Sequence, residues 1–183
     1  MTTAYINFHA PVNTLTIQHL MSACGNIVAQ GHDELCLCLS TAGGQVASGI
    51  TMYNFLLSLP IRVVIHNIGN IDSIGNAIFL AGNHRRACKH STFMFHGVGV
   101  DAGSHARLEL KNLREMLDSI LADQQRIADI LIERTKITRD EAGTLFAEAR
   151  TKNANEALEN GIVHEICDVA IPAGAPIFTL VFN

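Results

Sequence analysis

The sequence has no tryptophan, two tyrosines and four prolines in 183 residues, and its aromatic share is 5%. A core must therefore be assembled mostly from Ala, Leu, Ile and Val. Charged residues are also scarce, at 16% against 48% hydrophobic. That balance points to a well-buried interior or to an oligomer that hides further surface. There is no basic stripe, the formal net charge is -4 and the sequence pI is near 6.1, so nothing argues for a nucleic-acid partner and none is expected. No apolar run reaches the roughly 18 residues of a membrane span, so no membrane partner is expected. The opening "MTTAYINFHAPV" lacks the basic flank, apolar stretch and small-residue cleavage site of an export signal. Five cysteines, an odd number with no such signal, read as free thiols in a reducing compartment, and the cytoplasm is the expected location. Cys36 and Cys38 form a C-x-C without a second ligand pair, so no metal is expected, and no cofactor signature is present.

What is there alternates. Short apolar runs bounded by turn residues read as strands: "AYINFHA", "ELCLCLS", "RVVIHNIG", "STFMFHG" and "IVHEICDVAI". Helical patterns separate them. Leu15, Leu20, Ile27 and Val28 recur at helical spacing before a stop at Gly31. Val46, Ile50, Tyr53 and Leu57 do the same before Pro60. "AIFLAG" reads as a short buried helix. A longer one, about residues 104–135, carries Leu108, Leu113, Met116, Leu117, Ile120, Leu121, Ile127, Ile130 and Leu131 on a broad stripe. Thr138 and Glu141 form a capping box at the start of a further helix. Strands alternating with helices imply an α/β architecture with a largely parallel sheet, in one domain without linker or repeat.

Three stretches could carry chemistry. "LSTAGGQVASG" (39–49) follows a strand and opens a helix, where free backbone N–H groups can meet an anion, and Gly43 and Gly44 allow close approach. It is neither a phosphate-binding P-loop nor G-x-G-x-x-G. "GNIDSIGNA" (69–77) puts Ser73 at the first turn of a helix, in the positive end of the dipole. The hydrolase elbow G-x-S-x-G is not met, because residue 71 is Ile. "STFMFHGVG" sends His96 from a strand end towards a cleft. Taken singly, each has an ordinary structural reading: a Gly-rich turn, an N-cap, one of nine histidines.

In this order, the three stretches resemble the proteolytic subunit of the Clp protease and the wider ClpP-like peptidases, which include phage prohead proteases. The resemblance runs from "YINFHAPV" through "NGIVHEI". It implies a ClpP/crotonase-like fold of stacked β-β-α turns in a single domain over residues 1–183, with the long helix as a projecting handle that joins two rings. It assigns Ser73 as nucleophile, His96 as general base, and the amides of Gly44 and Ile74 as the oxyanion hole. The implied function is a serine endopeptidase, cleaving peptides through an acyl-enzyme in a homo-oligomeric ring chamber.

Departures from the pattern leave alternatives open. The family's catalytic Asp lies seven residues before the Glu of a "P-E-A" or "E-E-A" motif. Here that Glu is Glu156, in "NANEALENGIV", and the Asp position holds Ala149. Glu148 is adjacent and is the candidate substitute third member, although neighbouring helical residues point about 100° apart. Asp72 precedes Ser73 where the family has a small residue, Asn76 stands at a usually small or apolar position, and Ala42 replaces a Pro. Few residues precede the first strand, so N-terminal axial loops are not expected and docking of a hexameric AAA+ unfoldase is in doubt. After about residue 167, a C-terminal extension with strand-like "IFTLVF" is expected to pack on its own domain or a neighbour. A catalytically impaired homologue acting as an assembly or binding subunit is the second reading. Crotonase-like acyl-CoA chemistry, which shares the main-chain oxyanion hole, is the third; it has no need of Ser and His here, and no CoA signature is seen.

Overall fold

A computed structural model describes residues 2–100, 108–180 and 182. The chain opens with strand β1 (Thr3–His9), helix α1 (Thr14–Ala29), β2 (Glu34–Thr41), α2 (Val46–Ser58) and β3 (Arg62–Asp72). Then come the short helix α3 (Gly75–Leu80) and the strands β4 (His84–Ala87) and β5 (Thr92–Met94). The second half holds α4 (Leu110–Arg134), α5 (Arg139–Glu148), β6 (Thr151–Asn153), α6 (Ala154–Glu159), β7 (Glu165–Ile166) and β8 (Ile177–Thr179). The main path of the sheet runs β6-β5-β3-β2-β1-β8, and β4 links β3 to β7. Every pairing is parallel except β5 with β6. This is the α/β fold that the alternating pattern predicts.

The strand sequences explain the layers. Leu35, Leu37 and Leu39 point from β2 into the main core, where they meet Ile6, Phe8, Val63 and Ile65. Cys36 and Cys38 face the other side with Tyr5 and Val64, under Val169, Ile171 and Ala175 of the C-terminal tail. A strand buried on both faces reads as a continuous apolar run, which is why "ELCLCLS" shows no polar alternation. All five thiols are free, and burial pushes that of Cys24 up to about 12.

β3 changes partners midway. Val64–Asn67 pair with β4, whereas Asn70–Asp72 pair with β5. Fully buried Asn67 closes the gap: its Oδ1 accepts the Gly69 N–H at 3.0 Å and its Nδ2 donates to Thr92 O at 2.9 Å. The sheet thus forks just ahead of Ser73, which sets β5 beside the end of β3.

Several expectations need correction. In α1 the buried residues are Thr16, Ile17, Leu20, Ala23, Cys24 and Ile27, while Leu15 is exposed; two residues from Ile17 is about 200° around the helix. Leu57 is exposed as well, at the margin of the face that turns Met52, Tyr53 and Leu56 inward and about 100° round the helix from Leu56. The strand expected at "STFMFHG" ends at Met94, because the next amides turn to the region of α5: Phe95 N–H donates to Arg150 O and Gly97 N–H to Phe146 O. β4 is a strand that the apolar runs of the sequence do not mark, and of "IVHEICDVAI" only Glu165–Ile166 form a strand. The long helix starts at Leu110; positions 104–107 of its expected span lie outside the described residues. Only Ala128, Ile130 and Leu131 of α4 are buried, and Leu110, Leu113, Leu117 and Leu121 stand exposed along its first turns. Thr138 and Glu141 do form the capping box of α5, and Gly31 follows α1 at φ 77°. The C-terminal extension packs on its own chain, with β8 parallel to β1 and the Phe182 ring edge-on to Phe8.

Candidate active site

The end of β3 delivers the chain into a forced turn. Ser73 has φ 55°, a left-handed conformation uncommon for a residue with a Cβ. Three hydrogen bonds hold it there. Its N–H donates to Met94 O at 2.9 Å, and its carbonyl accepts the Asn76 N–H at 3.1 Å and Asn76 Nδ2 at 3.0 Å. Gly43 packs against the turn so closely that a Cβ there would lie 2.7 Å from both Asp72 O and Ser73 Cβ.

The neighbouring loop is shaped by Thr41 and Val12. Thr41 Oγ1 donates to Ala10 O and accepts the Gly43 N–H. Gly43 O accepts from Val12 N at 2.7 Å and Gln45 N–H donates to Val12 O at 2.8 Å. The C=O and N–H of one trans peptide point in opposite directions. With Gly43 O aimed at Val12, the Gly44 N–H is therefore aimed away from it. Gly44 has φ 146°, and a Cβ there would lie 2.2 Å from Val12 O. Neither the Gly44 nor the Ile74 N–H donates to another described residue. Two unpaired amides thus flank the Ser73 turn.

His96 lies two residues beyond β5 and is exposed. Its Nδ1 is 2.7 Å from Gly97 O, its one hydrogen bond among the described residues. A carbonyl only accepts, so in the neutral imidazole this contact places the proton on Nδ1 and leaves Nε2 as an acceptor. Ser73, His96 and Gly44 border one cavity of about 90 Å³, whose wall includes the apolar side chains of Val46, Ile127 and Phe146. The Ser73 hydroxyl makes no hydrogen bond to His96 among the described residues.

The candidate acids sit elsewhere. Glu148 pairs with Arg150 Nε at 2.6 Å and is exposed. Asp72 accepts from Asn70 Nδ2 at 2.6 Å. Neither hydrogen-bonds an imidazole among the described residues. Ala149 is the C-cap of α5, left-handed at φ 51° and ψ 54°. It lies between two segments bonded to the His96 strand extension, Phe146 and Arg150. Nothing local in the chain marks Phe146 and Ile127 as cavity walls. Asn76 is unusual for its position in the sequence pattern, but its partners are set by the fold. A larger hollow of about 430 Å³, lined in part by Asp140, Glu141, Arg150 and Lys152, contains neither Ser73 nor His96. Among the described residues, no three or more of His, Cys, Asp and Glu are grouped to hold a metal ion, and no helix is long and apolar enough to cross a membrane.

A forked parallel sheet, a Ser at a left-handed strand-to-helix turn and a His across one small cavity define a class, the ClpP-like peptidase fold. The family model described as Clp protease matches residues 2–170, so the chain belongs to the Clp protease family. It is similar to the ATP-dependent Clp protease proteolytic subunit 1 of Leifsonia xyli subsp. xyli, with 26% identity over 140 residues, covering 75% of this chain and 69% of the relative. It is also similar to the ATP-dependent Clp protease proteolytic subunit 2 of Rhodococcus jostii, with 23% identity over 143 residues, covering 77% and 71%. In fold it matches a ClpP1 point mutant from Listeria monocytogenes at TM-score 0.79 and 19% identity, over 90% of this chain and 91% of that one.

Proposed function

We infer that the chain is a serine-type endopeptidase that hydrolyses peptides through an acyl-enzyme, with Ser73 as nucleophile and His96 as general base. The observation that carries this reading is the strained Ser73 turn bordering one cavity with His96 and Gly44, where the Gly44 amide and that of Ile74, next to Ser73, have no partner among the described residues. His96 Nε2 takes the hydroxyl proton as Ser73 Oγ adds to the substrate carbonyl. The Gly44 and Ile74 N–H groups receive the oxyanion. The imidazolium then protonates the leaving amine, and water, activated by the same imidazole, releases the acyl group. The apolar wall of Val46, Ile127 and Phe146 suits an uncharged side chain beside the scissile bond.

Gly97 O can hold the imidazole tautomer but carries no charge to stabilise the imidazolium. Catalysis is thus expected to be slow, by orders of magnitude relative to a complete triad. That same feature favours the second reading, an impaired homologue that assembles or binds peptide. The exposed leucines at the start of α4 support pairing with further copies, as in a homo-oligomeric ring; elution at monomer mass would remove that part. An AAA+ unfoldase is not part of the reading.

The test is a fluorophosphonate probe with the adduct mapped by mass spectrometry. Labelling at Ser73 that vanishes in His96→Ala is expected. No adduct at high probe concentration would sink the peptidase reading and leave the second.

A further inference from the structure

Asn76 sits in the first turn of α3, 2% exposed, and is not part of the cavity wall. Its Nδ2 donates to two carbonyls, Ser73 O at 3.0 Å and Met94 O at 2.8 Å. Both acceptors already have a backbone donor: Ser73 O receives the Asn76 N–H and Met94 O receives the Ser73 N–H. The Asn76 Oδ1 is buried with no partner among the described residues. An amide that leaves its own oxygen unsatisfied in order to double two existing bonds is a poor way to stabilise a fold. What the doubled bonds do is tie two segments together. One is the turn that aims Ser73. The other is the end of β5, two residues before His96.

We propose that Asn76 is a positioning residue, whose carboxamide fixes the Ser73 turn against the strand end that carries His96. The inference rests on the reading of Ser73 and His96 as nucleophile and base. It follows from what the site lacks. Among the described residues no carboxylate holds the imidazole, and Ser73 and His96 are not hydrogen-bonded to each other, so their separation depends on how their backbones are joined. Met94 O is the joint, and Asn76 supplies one of its two bonds.

The two explanations of Asn76 differ in what its removal does. In Asn76→Ala, both carbonyls keep their backbone donors and the orphan oxygen disappears. Stability should change little, while the joint loses half its bonds. Asn76→Ser leaves a smaller void and keeps a hydroxyl that reaches Ser73 O three residues back but not Met94 O. It separates loss of the joint from loss of volume. The readouts are the rate of fluorophosphonate labelling at Ser73, kcat and KM on a small fluorogenic peptide, and the thermal midpoint. Both variants are expected to label about 10- to 100-fold more slowly. The loss should fall in kcat with KM nearly constant, because Asn76 does not line the cavity, and the thermal midpoint should stay close to that of the unchanged protein. A lowered midpoint with unchanged labelling of the folded protein would make Asn76 a structural residue only. So would full activity in Asn76→Ser alongside loss in Asn76→Ala, since volume would then be the cause. If the unchanged protein gives no Ser73 adduct, the nucleophile reading fails and takes this inference with it.

Discussion

The Ser73 turn is pinned by Met94 O and Asn76 and pressed by Gly43, whereas His96 stands beyond its strand on one bond to the carbonyl of the next residue. The Ser73 half is part of the core: Ile71, Ile74, Ala77 and Ile78 around it are buried. The His96 half is a surface segment joined to the body through Phe146 and Arg150. The difference shows which half a drifting sequence can change cheaply. Altering the Ser73 turn disturbs packing in the middle of the sheet. Altering the support of His96 disturbs little packing, and Ala149 lies between the two residues that hold the His96 segment, Phe146 and Arg150.

The comparison is sharpened most by supplying the missing charge. Ala149→Asp is expected to raise kcat/KM on a peptide about 1000-fold, since an acid can then stabilise the imidazolium. The left-handed backbone at this position also suits Asp better than Ala. An unchanged rate would mean that residue 149 does not face the imidazole. On the other half, Gly43→Ala should lower Ser73 labelling about 100-fold, because the new Cβ meets Asp72 O and Ser73 Cβ at 2.7 Å. A normal labelling rate would show that the turn is looser than its packing implies.

Acid should weaken the scaffold beneath both halves by a smaller amount. Burial holds the His66 imidazole below its ordinary range, and burial with the nearby Arg85 does the same for His164. Between their folded values and the ordinary value near about 6.5, the unfolded chain binds more protons than the folded one. Their contribution to stability is full above that range and is lost as pH falls through the folded values. The urea midpoint should be lower at about pH 5.5 than at about pH 7.5, and His164→Gln should reduce the difference; an equal or higher midpoint in acid would contradict it. Last, Glu148→Gln should change kcat/KM by less than about twofold, since this carboxylate is an exposed partner of Arg150. A tenfold loss would restore Glu148 as the third member and even out the two halves.

The Ser73 half is the more legible from sequence. "TAGG", "DSIGN" and "FMFH" occur in the order the family resemblance requires, and the glycines among them mark close backbone approach. The ends of elements were less legible. Nothing in "STFMFHG" says that pairing stops at Met94, because what stops it is a pair of acceptors on Phe146 and Arg150, more than 45 residues further along the chain. The apolar wall of the cavity was hidden for the same reason.

By itself, the sequence determined the alternation of strands and helices, the caps at Gly31 and Thr138, and the residue types available to the site. These follow from local rules: periodicity, capping and the backbone freedom of glycine. Tertiary structure alone decided that β3 forks between β4 and β5, that Asn76 joins the Ser73 turn to the His96 strand, and that the neighbouring carboxylates are turned to other partners. The fork and the Asn76 joint depend on hydrogen bonds between separate segments, whose choice of partner is settled only when the sheet is assembled; Asp72 and Glu148 take partners two residues away, Asn70 and Arg150.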